Sequence, residues 1–296
     1  MAGTDNYFIQ DKTVREYILT ISSPDAVGIV AAVTTFLAVS DCNIKDSAQF
    51  GDPETKLFFM RTHFSAGENA PDLETLRASF CATAKRYSMD WKIVSAGERC
   101  RMLIMVSKQG HCLNDLLFRH RSGALHADIV GIVSNHETFR DVAEWQGIPF
   151  HHLPVTSKDK EEKEKELLRM VEREKIDLVV LARYMQILSP ELCEALAGKC
   201  INIHHSFLPS FKGAQPYRRA HARGVKLIGA TAHYVTANLD EGPIIEQEVQ
   251  RVDHAHTPED LAAISRDVES IVLARAVGLH ITHRVLLNGN KTVVLR

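Results

Sequence analysis

Hydrophobic positions in the first third of the chain change repeatedly between strand and helix spacing. Residues 16–21 read as a strand, and the segment with Pro24, Asp25 and Gly28 reads as a turn into the helical pattern Ile29, Val33, Phe36, Leu37. Strands are expected over 43–50 and 55–64, parted by the turn signal Gly51-Asp52-Pro53-Glu54. A second amphipathic helix, with Leu73, Leu76, Phe80 and Ala84 on one face, covers 72–87, and 90–95 follows as a strand. From Met102 the grammar changes. Apolar strands over 102–106, 125–133, 150–153 and 176–182 alternate with helices over 113–121, 137–145, 157–175 and 189–196. A strand starting at Ile201 is followed by a helix over 217–223 and by strands over 226–235 and 244–252, which are expected to pair as a hairpin. Thr257-Pro258-Glu259-Asp260 starts a long helix reaching about residue 283, Asn288-Gly289 makes a turn, and 292–295 is a closing strand.

These orders predict two folded parts. A polar tail over 1–14 precedes a βαββαβ unit over 15–97, a ferredoxin-like plan. Residues 98–296 are α/β, with strands alternating with helices, which implies a mostly parallel, Rossmann-like sheet covered on both faces. Sites in such sheets lie at the C-terminal ends of the strands.

Composition removes several function classes. The 296 residues are 45% hydrophobic and 24% charged with a net charge of -2, which gives no reason to expect nucleic acid or an acidic membrane as partner. The six cysteines lie at 42, 81, 100, 112, 193 and 200 without a CxxC pair, which argues against disulfides and a structural zinc site and suits a reducing compartment. No apolar run has the length of a membrane span and the N-terminus has no leader pattern, so a cytoplasmic protein is expected.

The chemistry concentrates in Ile201-Asn202-Ile203-His204-His205-Ser206-Phe207-Leu208-Pro209-Ser210-Phe211-Lys212-Gly213. Strand pleat puts Asn202 and His204 on one face. A capped strand end explains one polar residue at such a place well and four in succession badly, because buried polar groups must be paired or used. Fifteen histidines invite a metal, but His204 and His205, adjacent on a strand, are expected to point to opposite faces. His151-His152 meets the same objection, and His254-Ala255-His256 reads as a loop before the Thr257 cap. There is no HExxH and no closed Cys/His set, so no metal is expected.

Longer stretches carry resemblances. Pro24-Asp25-x-x-Gly28-Ile29-Val30, followed by Cys42-Asn43-Ile44, resembles an ACT domain, a small-molecule sensing module, although Asp41-Cys42 stands where a Gly is common. That resemblance implies a small amino-acid effector at Asp25, Gly28, Asn43 and Ile44 and a homo-oligomer; a purely oligomerising unit is the bland reading beside it. Asn202-Ile203-His204-x-Ser206-x-Leu208-Pro209, Gly229-Ala230-Thr231-x-His233 and Asp240-x-Gly242-x-Ile244-Ile245-x-Gln247 resemble the catalytic domain that transfers or removes the formyl group of 10-formyltetrahydrofolate. The resemblance implies a catalytic set of Asn202, His204 and Asp240, with His233 supporting. It also implies a folate cradle along Leu181-Ala182-Arg183-Tyr184-Met185-Gln186-Ile187-Leu188, with Met185, Gln186, Ile187, Leu188 and Thr236 binding substrate and no cofactor beyond the folate itself.

Those residue types suit the reaction. Cleaving a formyl–nitrogen bond passes through an oxyanion, to which an Asn NH₂ can donate, and expels an amine, which a His can protonate; an Asp can hold water or tune the His. The acceptor is set elsewhere. Transferases of this kind cradle an acceptor phosphate with a Gly/Ser-rich loop after the first strand, whereas Ser107-Lys108-Gln109-Gly110-His111-Cys112-Leu113 holds one Gly and bulky neighbours. An ACT-like unit fused to this domain, together with Ser107-x-x-x-His111-Cys112-Leu113, is similar to the formyltetrahydrofolate deformylases, so water is the expected acceptor. Transfer to an amine such as glycinamide ribonucleotide is the competing reading.

Overall fold

The computed structural model describes residues 15–208 and 216–296; the expected tail over 1–14 and Pro209-Ser210-Phe211-Lys212-Gly213 lie outside the described residues. The chain divides into two compact units, one reaching Glu98 and including Leu295 and Arg296, the other spanning Arg99–Val294.

The first unit runs β1 (Glu16–Pro24), α1 (Ile29–Val39), β2 (Cys42–Asp52), β3 (Leu57–Ala66), α2 (Leu73–Arg86), β4 (Asp90–Ser95). Its strands form an antiparallel sheet in the order β2-β3-β1-β4, as the ferredoxin-like reading requires. One face is the core. Ile29, Val33, Phe36 and Leu37 of α1 and Leu76, Phe80 and Ala84 of α2 are buried, with Phe36 and Trp91 each edge-on to Phe80 at 5.0 and 4.9 Å. Gly28 precedes α1 at φ 95, a left-handed backbone that a side chain resists. Asp41 also takes a positive φ of 53, and its carboxylate accepts from Asn69 N at 2.8 Å.

The four residues assigned to an effector do not form one cluster. Asp25 and Gly28 lie at the α1 N-terminus beside the Asp52 end of β2, since Pro24 and Asp52 both pair with Leu57. Asn43 and Ile44 lie at the opposite end of β2, where Cys42 pairs with Ala66. Eleven helical residues separate the two places.

The second unit runs β5 (Cys100–Val106), α3 (His111–Arg121), β6 (Ala127–Ser134), α4 (Arg140–Trp145), β7 (Phe150–His152), α5 (Lys160–Arg173), β8 (Leu178–Leu181), α6 (Pro190–Ala195), β9 (Cys200–His204), α7 (Pro216–Ala222), β10 (Leu227–Tyr234), β11 (Ile244–Arg251), α8 (Pro258–Ile281), β12 (Val285–Asn288) and β13 (Lys291–Val294). Seven strands form one sheet, β11-β10-β9-β8-β5-β6-β7, parallel from β7 to β9 and antiparallel at β10 and β11. The expected hairpin of β10 and β11 is present. The closing strand is not part of this sheet; it pairs with β12, a strand missing from the hydrophobic pattern, in a two-stranded ribbon.

Each face has its own core. Leu113, Leu117, Val272, Leu273 and Val277 of α3 and α8 pack with Ile201 and Ile203, whereas Leu167, Met170 and Leu192 of α5 and α6 pack with Val179, Leu181 and Cys200. The alternation along β9 therefore turns Asn202 and His204 toward the α5/α6 face. Thr257 and Asp260 form a reciprocal cap at α8, Asp260 N donating to Thr257 Oγ1 at 3.2 Å and Thr257 N to Asp260 Oδ2 at 2.9 Å, worth about 1 kcal/mol. No helix among the described residues is long and apolar enough to cross a membrane.

Candidate active site

A cavity of about 340 Å³ opens on the α5/α6 face beside the end of β9. Asn202, His204 and Asp240 line it, and so do Met185, Gln186, Ile187, Leu188 and Thr236, so three separated stretches of sequence meet at one place. Met185 and Ile187 are exposed apolar side chains beside it.

Two strands and a loop build the polar wall. Antiparallel pairing sets His233 opposite Asn202 and Thr231 opposite His204. Across the first pair, Asn202 Nδ2 and His233 Nε2 are 3.3 Å apart, and His233 Nδ1 is 2.9 Å from the Tyr234 carbonyl oxygen. A carbonyl only accepts, so Nδ1 carries the hydrogen and Nε2 accepts from the Asn202 amide. Burial lowers the His233 pKa and keeps the ring neutral in that role. His233 is thus tied into the wall rather than serving only the core.

Asp240 reaches the wall from the loop between β10 and β11. Its backbone is left-handed at φ 58, which Asp tolerates better than most residues. The loop closes down because Gly242 has no side chain: a Cβ there would collide with the Tyr234 carbonyl oxygen. Asp240 Oδ1 then stands 3.3 Å from His204 Nδ1 and 3.8 Å from His233 Nε2. The hydrogen bond from His204 holds the Asp240 carboxyl below its usual range, against the opposing effect of burial. Nδ1 is the ring nitrogen of His204 that faces the carboxylate, and Nε2 is the one turned from it.

The remaining motif residues anchor the wall. Thr231 Oγ1 donates to Ser206 O at 3.0 Å and accepts from Leu208 N at 3.1 Å and Gln247 Nε2 at 2.9 Å; Gln247 Nε2 also reaches Leu208 O at 3.0 Å. The segment after β9 is thereby pinned to β10 and β11.

One expectation is overturned. His204 and His205 do not point to opposite faces; their rings stack at 4.7 Å between centroids with 30° between planes. β9 ends at His204 and the chain bends at His205, so strand alternation no longer applies. Burial, with Arg183 and His204 nearby, brings His205 down to about 4, so it is a neutral ring.

Sequence reasoning also missed a buried cluster behind His205. Glu269 of α8 is 1% exposed, and its Oε2 lies 2.8 Å from His111 Nε2 and 3.4 Å from Arg183 Nε, while Tyr217 and Ser265 donate to Oε1 at 3.1 Å each. Burial opposes its ionisation, but His111 and Arg183 hold the carboxyl below the usual range. A signal existed in the sequence: Glu269 falls on the apolar face of α8 with Val268, Val272 and Leu273. His111, Cys112 and Glu269 offer ligand atoms within 4.8 Å of one another. Burial drives the Cys112 thiol far up, away from the thiolate, and Arg183 already supplies the positive charge, so this donor set fits a cation poorly.

Comparison with known proteins gives the family of the chain. The formyl transferase family model matches residues 100–277. A formyltetrahydrofolate deformylase from Corynebacterium sp. (strain P-1) is 50% identical over 281 residues, 95% of this chain and 98% of that protein. The crystal structure of formyltetrahydrofolate deformylase from Burkholderia mallei superposes with a TM-score of 0.92 at 52% identity, covering 95% of this chain and 100% of the other. Glycinamide ribonucleotide transformylase 1 from Symbiobacterium toebii is more distant, with a TM-score of 0.62 and 28% identity over 67% of this chain and 95% of that one. With half of its residues identical over nearly the full length of both chains, this chain belongs to the formyltetrahydrofolate deformylase family.

Proposed function

We propose that this protein hydrolyses 10-formyltetrahydrofolate to formate and tetrahydrofolate, with the folate as substrate and no further cofactor. The observation that carries the reading is the single cavity in which Asn202, His204 and Asp240 face the 185–188 segment. Family membership supports the same substrate.

In this reading the folate lies along Met185, Gln186, Ile187 and Leu188 with Thr236 beside it, and its formyl group meets the polar wall. Asp240, ionised at neutral pH, and His204 hold a water against the formyl carbon. As the water oxygen bonds to carbon, the carbonyl electrons move to oxygen, and the second Asn202 amide hydrogen stabilises that oxyanion. His204 takes the water proton at Nε2 and gives it to the folate nitrogen as the carbon–nitrogen bond breaks, releasing formate and the amine. His233 fixes the Asn202 amide with its NH₂ as donor and is a positioning residue.

The first unit, over 15–97, serves in this proposal as an ACT-like regulatory domain for a small amino acid, and 98–296 as the catalytic domain of a cytoplasmic homo-oligomer. The four-stranded βαββαβ plan supports the ACT-like part of that assignment.

The test is to follow formate and tetrahydrofolate from 10-formyltetrahydrofolate with the purified protein and no amine present. Steady multiple turnover is expected. Turnover that begins only when glycinamide ribonucleotide is added would make the protein a transferase.

A further inference from the structure

In open α/β sheets, ligands enter the crevice where the strand order reverses, beyond the C-terminal ends of the two strands flanking the reversal. Here that place lies between β5 and β8: the chain leaves β5 for β6 and β7 on one side, then returns to β8 and β9 on the other. The crevice is laced together. Ser107, directly after β5, donates its backbone N–H to Arg183 O at 3.2 Å, and Arg183 Nε reaches Gln109 Oε1 at 3.1 Å. Arg183 and His111 then converge on the buried Glu269 carboxylate, which Tyr217 holds from its other oxygen.

This lacing borders the reaction site. The active-site cavity is lined on that side by Arg183 and His205. His205 stacks on His204 and meets Tyr217 edge-on at 6.3 Å between ring centroids. Opening the crevice at this point would separate a buried carboxylate from its guanidinium and imidazole partners, which is costly because each charge would be left unpaired away from solvent.

We propose that the Glu269-centred cluster determines acceptor specificity: it fills the space a primary amine would need, so that water alone takes the formyl group. The inference rests on the hydrolase reading above. Gln109 and His111 are the removable part of the closure, because without them Glu269 keeps Arg183, Ser265 and Tyr217 as partners. In an opened site an amine nitrogen would bond to the formyl carbon, the carbon–nitrogen bond to the folate would break, and the amine proton would pass to the departing folate nitrogen.

The experiment compares the full-length wild type with the double variant Gln109→Ala, His111→Ala, each given 10-formyltetrahydrofolate with and without glycinamide. Formate and N-formylglycinamide are both quantified by mass spectrometry. The wild type is expected to give formate alone, and the variant to keep releasing formate without amine while its ratio of formylated amine to formate rises by about tenfold or more. A folded, formate-releasing variant with an unchanged ratio overturns the proposal, as does a wild type that formylates glycinamide as fast as it hydrolyses. If the double variant does not fold, His111→Asn, smaller yet still able to donate to Glu269, is expected to move the ratio in the same direction, and an unmoved ratio there also overturns it. Absence of formate from the wild type without amine removes the hydrolase reading itself, a result separable from the others.

Discussion

Asn202 and His233 face each other across the β9/β10 pair, with Nδ2 and Nε2 3.3 Å apart, and the imidazole's other nitrogen is tied to the Tyr234 carbonyl. The orientation of one amide is thus set by a ring whose own hydrogen is set by the backbone. His233→Ala should lower kcat by about 10- to 100-fold with little change in KM, because the amide loses its fixed orientation while the cavity lining is untouched. Steady-state kinetics beside a thermal melt test this; a variant with raised KM and normal kcat would make His233 a binding residue instead.

Asp240→Asn keeps the size of the side chain and removes its charge. Turnover should fall by about a thousandfold or more while the folate still binds, since the cavity surface is nearly unchanged. Single-turnover kinetics with a separate binding measurement would expose a wild-type rate, which would remove Asp240 from the mechanism.

Gly242 is where the Asp240 loop touches β10. A methyl group there must displace the Tyr234 carbonyl or the loop, so Gly242→Ala should cost about 1–3 kcal/mol in stability and also reduce turnover by shifting Asp240 from His204. Melting curves and kcat should fall together; a stable variant with full activity would show that the loop position does not matter.

Glu269 makes stability depend on acid. Its folded pKa lies below the 4.5 of an unperturbed glutamate, so its contribution is complete above about that value and is lost as pH falls through the lower folded value. His111, Arg183, Cys112 and Tyr217 face it, and the last two stay neutral there because burial raises both. Glu269→Gln should therefore melt well below the wild type near neutral pH, and the gap should narrow as pH drops below 4.5. A gap that does not change with pH would show that the carboxylate charge contributes nothing.

The parts legible in the sequence are those governed by short-range periodicity. Period-two alternation placed Asn202 and His204 on one face because Ile201 and Ile203 must both reach the same core. The capping box at Thr257 and Asp260 was readable because four adjacent residues contain it. His205 escapes that rule because it lies one residue past the end of β9, and nothing local marks where a strand stops pairing. β12 was missed because four residues in a two-stranded ribbon need no strong pattern. The His111–Glu269 pair spans 158 residues, so only the tertiary fold brings it into view.

The left-handed backbone at Asp240 also bears on how this site can change through descent. Gly, Asn and Asp take such a backbone most readily, although Lys56, Lys175 and Arg183 of this chain hold it too, at φ 57, 51 and 64. Gly would delete the carboxylate, Asn would neutralise it, and Glu would carry the charge one methylene further, away from its 3.3 Å contact with His204 Nδ1. Point mutation at this codon therefore offers a lineage few ways to keep both the charge and its distance. Drift in rate or substrate preference is left to positions such as Met185 and Ile187, whose side chains are exposed beside the cavity and can vary without refolding a turn.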